Sequence, residues 1–266
     1  MPTARELLAF YLEAGVDCAL SETPVNRLVE EAVIEEKPAP KPALFRTANP
    51  APPSMPADLT PAPDAAIMSA REIAPQAASL QELRELLERF DGCALKSTAT
   101  RLVFADGNPQ AKVMFVGEAP GRDEDLEGLP FVGRSGKLLD LMMAAIGLDR
   151  SKVYIANIIP WRPPGNRDPS AQETQICLPF IRRQIQLVDP DVLVCLGKPS
   201  SQAILNITDG IVKSRGKWFD YDTGTRKIRA TATFHPAYLL RQPISKRQTW
   251  QDMRAVQKAL QADKAT

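Results

Sequence analysis

Cysteine is scarce in this chain and never closely paired: Cys18, Cys93, Cys177 and Cys195 are the only four in 266 residues, and none of them forms a C-x-x-C. Such scatter excludes a disulfide framework and fits reduced thiols. Long apolar runs are missing too, since none approaches the ~18 residues that a membrane span requires. The first residues, Met1-Pro2-Thr3-Ala4-Arg5, lack the apolar core of a signal peptide. A cytoplasmic protein without membrane segments is therefore expected. Net charge is almost absent, +1 from 33 Lys/Arg against 32 Asp/Glu, but the balance hides an asymmetry. Residues 1–75 hold six basic against eleven acidic residues, which leaves the remainder net basic by six. A basic body of this kind suits a polyanionic partner.

What is present divides the chain into three. Leu7, Leu8, Tyr11 and Leu12, then Val25, Leu28, Val29 and Ala32, follow the i, i+3, i+4 spacing of short amphipathic helices over residues 1–36. Such helices either dock a protein partner or pack on the chain's own domain. Residues 37–78 are dominated by Pro and Ala with few large apolar side chains, the composition of an extended linker. Residues 79–266 have the apolar content of a folded domain, for which a core of about 180 residues is ample.

Within that domain, Ser79 to Phe90 opens with an S-x-x-E capping box and carries Leu80, Leu83, Leu86 and Leu87 on one stripe, which predicts a helix. Residues 92–108 read as irregular. Val113–Val116, Val153–Ala156, Val192–Leu196 and Ala230–Phe234 are short apolar runs of the kind that form strands buried on both faces. Helical patterns over Gly136–Leu148, Gln172–Val188 and Pro199–Ile207 separate them, and Lys213–Arg229 reads as a hairpin or exposed loop. The alternation predicts an α/β fold: a small doubly wound, mainly parallel four-stranded sheet with helices on both faces. In such sheets ligands bind at the carboxyl ends of the strands, where Glu118, Asn157 and His235 would sit.

His235 is the only histidine, held between a strand and Pro236. Asn157 follows the second strand and offers a donor and an acceptor on one amide. Glu118 and the run Asp123-Glu124-Asp125 supply carboxylates just after the first strand. Each has a plainer structural reading: a packed imidazole, a turn asparagine, solvated loop acids. The stretch Gly128 to Ser135 nearly spells a phosphate-binding loop, but Arg134 stands where Lys is required and no buried strand directly precedes it.

Four segments together carry a resemblance. Gly117–Asp125 reads G-E-A-P-G-R-D-E-D, Gly128–Gly136 reads G-L-P-F-V-G-R-S-G, Asn157–Arg167 reads N-I-I-P-W-R-P-P-G-N-R, and His235–Arg241 reads H-P-A-Y-L-L-R. In this order they resemble the signatures of the family 4 uracil-DNA glycosylases, over about residues 80 to 262 allowing for uncertain element ends. The resemblance implies the uracil-DNA glycosylase fold and a monofunctional enzyme that hydrolyses the N-glycosidic bond of deoxyuridine in DNA, leaving an abasic site. The alternative is a non-catalytic protein that binds uracil-containing or abasic DNA. A monomer acting on uracil-containing DNA, nucleoid-associated in the cytoplasm, is implied.

The resemblance also implies roles. His235 would hydrogen-bond the uracil O2 as charge develops there, Asn157 would read the O4 and N3–H edge, Phe131 would stack on the base, and Gly117 and Ala119 would line its pocket. Glu118, Asp123 and Glu124 would hold water and balance the cationic sugar, with Glu124 or Asp123 favoured. Tyr238, Leu239, Leu240 and Arg241 resemble a loop that probes the minor groove, where Leu239 or Leu240 would wedge and Arg241 would hold a phosphate. Asn166, Arg167 and Arg134 would add DNA contacts. Family members carry a [4Fe–4S] cluster on four cysteines. Cys93 and Cys177 match two of these ligands, while Phe90 and Trp161 occupy the other two positions, so no cofactor is expected. A related branch crosslinks itself to uracil sites through an additional histidine; this chain has no second histidine, so turnover is expected over suicide binding.

Overall fold

The computed structural model describes residues 63–262. The helices expected over 1–36, their partner, and the first part of the expected linker lie outside the described residues. In chain order the elements are α1 (Pro63–Ile73), α2 (Leu80–Arg89), α3 (Leu95–Thr98), β1 (Asp106–Gly107), β2 (Val113–Gly117), α4 (Arg122–Glu127), α5 (Arg134–Ala144) and β3 (Val153–Asn157). They continue with α6 (Ala171–Val188), β4 (Val192–Leu196), α7 (Lys198–Leu205), α8 (Ile211–Ser214), β5 (Trp218–Asp222), β6 (Lys227–Thr233), α9 (Pro236–Arg241) and α10 (Lys246–Ala262).

The four predicted strands form the parallel centre of the sheet, in the order β3-β2-β4-β6. β2, β3 and β4 are buried at every position, as their unbroken apolar runs require. Successive residues face opposite layers. Met114 and Val116 pack with Leu83, Ile181 and Ile185 on one side, whereas Val113 and Phe115 pack with Leu139, Met143, Met253 and Val256 on the other. Each such side chain contributes about 1.5–3 kcal/mol through removal from water.

Two corrections follow. The sheet has six strands, because β1 pairs antiparallel with β3 and β5 with β6 at the two edges. β1 is only two residues long, too short to show a period. β5 alternates exposed and half-buried residues within a stretch rich in Lys and Arg, which masks its pattern. The expected linker over 37–78 also ends in structure. α1 and the 3-10 turn Ala74–Gln76 bury Ala66, Ala70, Ala74 and Ala77, at i, i+4 spacing until the last, and α1 lies against α6. Small residues permit that close approach, while a search for large apolar side chains misses it. The Arg183 guanidinium secures the joint, donating to the Ala77 carbonyl from Nε at 2.9 Å and Nη2 at 2.6 Å.

The predicted cap of α2 forms: Ser79 Oγ accepts from the Glu82 N–H at 3.2 Å, and the Glu82 carboxylate accepts from the Ala78 N–H. Among the described residues no helix is long and apolar enough to cross a membrane. Register decides where chemistry can occur. Gly117 lies opposite Asn157, and Leu196 opposite Thr233, so the carboxyl ends of the four central strands finish level.

Candidate active site

At that level edge lies a cavity of about 360 Å³, large enough for one planar base. Glu118, Phe131, Asn157 and His235 all line it, joined by Ala119, Glu124, Asn166, Arg167, Asp168 and Arg241. Four segments far apart in sequence therefore meet there.

β3 delivers Asn157. The ladder continues past the strands, with the Ile158 and Ile159 N–H groups donating to the Gly117 and Glu118 carbonyls, so the amide is held firmly. Asn157 is buried, and its Oδ1 has no hydrogen-bond partner. A buried acceptor left unpaired costs about 1–3 kcal/mol, which a ligand N–H would recover. Gly117 makes the placement possible, since a Cβ there would stand 2.3 Å from Asn157 Oδ1 and 2.6 Å from the Phe131 ring.

Phe131 forms a wall. Its backbone adopts φ 56°, a left-handed conformation that costs a non-glycine residue energy and marks a position fixed by its surroundings. Arg150 does much of that fixing. Its guanidinium donates to the carbonyls of Pro130 and Phe131 while bridging Asp106 of β1 and Asp140 of α5. Gly136 lets α5 start directly beneath, because a Cβ there would collide with the Phe131 carbonyl. The Phe131 ring lies 5.5 Å from the His235 ring, centroid to centroid.

His235 caps α9. Its Nδ1 accepts the Ala237 N–H at 3.2 Å, which leaves Nε2 to carry the proton of the neutral ring. Burial, reinforced by the Arg241 charge, lowers its pKa to about 4. The imidazole is thus a neutral donor at physiological pH. Glu118 shifts the other way: burial and the nearby Asp168 raise its pKa to about 7.

The other acids are placed differently. Glu124 is buried and spends both oxygens on backbone: Oε2 accepts from Gly121, Oε1 from Val132 and Gly133, all at 3.0 Å. It pins the Phe131 loop to the start of α4. Asp125 similarly ties α4 to Thr100 and Arg101. Asp123 is exposed and does not line the cavity.

Tyr238 stacks on Phe234 at 5.0 Å outside the cavity. The segment expected to be a loop is helix α9, because Pro236 at its first turn and the His235 cap start it. Leu239 points into the core, so of the two wedge candidates only Leu240 reaches solvent. Arg167 is engaged by Glu173, Asn166 accepts from Arg162 Nε at 2.7 Å, and Arg134 is exposed at the start of α5, away from the lining. Arg150 had no motif to reveal it; only the fold brings Asp106, Asp140 and the Phe131 loop together around it.

The cluster question can be put to the residues present. Cys93 and Cys177, 84 residues apart, meet with their sulfurs 3.9 Å apart in the core. The Cys177 thiol donates to Cys93, which raises Cys177 and lowers Cys93. Phe90, packed 5.0 Å from the Phe180 ring, and Trp161, at the two positions that the resemblance assigns to further ligands, are both buried. Among the described residues no three His, Cys, Asp or Glu side chains are placed to hold a metal ion. Two thiols in contact do not fit a four-thiolate cluster.

Comparison with known proteins agrees with this geometry. Residues 104–254 match the model of the uracil DNA glycosylase superfamily. The chain is 45% identical over 155 residues to a type-4 uracil-DNA glycosylase of Archaeoglobus fulgidus, covering 57% of this chain and 78% of that protein. It is 36% identical over 193 residues to the type-4 enzyme of Saccharolobus solfataricus, covering 71% and 89%, and 39% identical over 166 residues to that of Thermotoga maritima, covering 61% and 83%. On the superfamily match over more than half of its length and these identities, the chain belongs to the uracil-DNA glycosylase superfamily and, within it, to the type-4 enzymes.

Proposed function

We propose that this protein is a monofunctional uracil-DNA glycosylase that hydrolyses the N-glycosidic bond of deoxyuridine in DNA and so initiates base excision repair. The observation that carries this reading is the convergence of His235 and Asn157 on one cavity walled by Phe131, with a buried Asn157 amide oxygen that lacks a donor.

Breaking the bond separates charge, because the sugar becomes cationic as uracil leaves as an anion, and catalysis must favour both. The target base is everted into the cavity and lies against Phe131. There the Asn157 oxygen accepts N3–H and its amide N–H donates to O4. Cytosine presents the opposite pattern at that edge and is rejected. The His235 Nε2–H donates to O2, where negative charge grows. A neutral donor gains strength as that charge develops and needs no proton transfer. Glu118, once ionised, balances the sugar cation and orients water, a task that the geometry favours it for over Asp123 and Glu124. Arg241, exposed at the cavity lining, holds a phosphate in this reading. Among the described residues no lysine lines the cavity, so an imine and strand cleavage are not part of this chemistry.

The same reading holds the enzyme to be free of an iron–sulfur cluster, with Phe90, Trp161 and the Cys93–Cys177 pair filling that volume as core. Anaerobically purified protein should lack stoichiometric iron and a visible absorption band. Stoichiometric iron that stays with active protein through gel filtration would refute it. The glycosylase reading itself is tested by incubating a uracil-containing oligonucleotide with the protein and then cleaving with alkali: strand scission only after alkali, with many turnovers per enzyme, is expected. Binding without turnover would instead indicate a non-catalytic reader of uracil.

A further inference from the structure

Beyond α9 the chain makes one 3-10 turn, Pro243–Ser245, before α10 begins. Ile244, at the middle of that turn, is 85% exposed, more than any other exposed large apolar side chain among the described residues. Leu240 is 37% exposed and Leu239 only 1%. The turn is firmly seated. Pro243 fixes its backbone, the Ser245 N–H donates to the Gln242 carbonyl, the Gln242 N–H donates to the Tyr238 carbonyl, and Ser245 itself is buried beneath α10. A β-branched side chain on such a base has little rotamer freedom to lose on insertion.

Its surroundings point to the partner. Arg241, three residues upstream, lines the cavity, and Lys246 and Arg247 stand two and three residues downstream; all three are exposed and make no ion pair among the described residues. Three residues of extended chain span at most about 10 Å, so the Ile244 backbone lies within that reach of Arg241 while Ile244 itself is outside the cavity lining. An exposed apolar tip flanked in sequence by exposed cations, three residues from a side chain that lines a base-sized cavity, matches what duplex DNA requires. Everting a base costs a few kcal/mol of stacking and pairing, and an apolar wedge that enters the vacated step offsets part of it while cations meet the phosphates.

We propose that Ile244 is the residue that enters the base stack in place of the everted deoxyuridine, and that the enzyme is therefore built for paired DNA in preference to single strands. This rests on the glycosylase reading given above. In single-stranded DNA there is no opposing stack to hold open, so the wedge has little to do there.

The test compares wild type with Ile244→Ala, Ile244→Phe and Leu240→Ala on one uracil-containing sequence, as a duplex and as a single strand. Ile244→Ala should lower kcat/KM on the duplex by about tenfold or more and leave the single strand within about twofold, while Ile244→Phe, which keeps a wedge, should retain most duplex activity. The duplex-to-single-strand ratio is the readout, and loss of folding would not move it selectively. An equal fall on both substrates, no fall on the duplex, or a duplex-specific loss in Leu240→Ala alone would overturn the assignment. Absence of uracil release from either substrate by the wild type would sink the glycosylase reading together with it.

Discussion

At the scale of single residues, the cavity assigns opposite electrostatic tasks to two groups chiefly by burial. Burial keeps His235 uncharged down to about pH 4, while burial and Asp168 keep Glu118 protonated up to about pH 7. If the ionised Glu118 balances the sugar cation, kcat/KM rises with pH and levels off above about pH 7, and Glu118→Gln abolishes that rise. A profile that is flat for the wild type from about pH 5 to 9 would contradict the role. The signs for stability differ. Glu118, raised when folded, favours the fold most below its ordinary pKa near 4.5, and that contribution is lost as pH rises to about 7. His235, lowered when folded, costs stability as pH falls from about 6.5 towards 4. Replacing the imidazole by His235→Ala removes a donor aimed at developing charge and should reduce kcat by about 10²–10³-fold in single-turnover uracil release.

Elements explain why those residues meet. β2, β3, β4 and β6 were legible as apolar runs, and the level register of their carboxyl ends brings Glu118 after β2, Asn157 at the end of β3 and His235 after β6 to one cavity. The residue types of the site could be read in the motifs, but their division of labour could not. Glu124 stands in the same acidic run as Asp123, yet it serves three backbone N–H groups, because only the folded loop brings Val132 and Gly133 to it. α1 escaped notice because its buried stripe is alanine. Its close packing on α6 implies that Ala70→Leu overfills the joint and destabilises the domain by about 1–3 kcal/mol in urea unfolding. Arg150 likewise links β1, α5 and the Phe131 loop through groups 44, 10 and 19 residues away in sequence. Arg150→Ala should therefore lower both the melting temperature and uracil affinity, whereas Phe131→Ala should lower affinity with a smaller effect on melting, since it leaves the Arg150 bridges intact. Equal effects of the two on both readouts would contradict a positioning role for Arg150.

For the molecule as a whole, two core layers hold a sheet whose one open edge carries the chemistry. The layer that contains Cys93, Cys177, Phe90 and Trp161 is continuous with the helices α1, α2 and α6. In that setting the two thiols act as small apolar residues. Replacing both, as Cys93→Ala with Cys177→Val, should preserve uracil excision and cost only the stability expected of a repacked core; loss of iron together with activity would indicate a cluster after all. The central claim concerns the other edge, where an everted uracil would meet an amide and an imidazole. The most direct measurement is steady-state uracil release from a uracil-containing duplex by wild type, Asn157→Ala and His235→Ala, each shown to be folded by its melting curve. Repeated turnover by the wild type and its loss by at least about a hundredfold in both variants is expected; turnover undiminished in the folded variants would contradict the site.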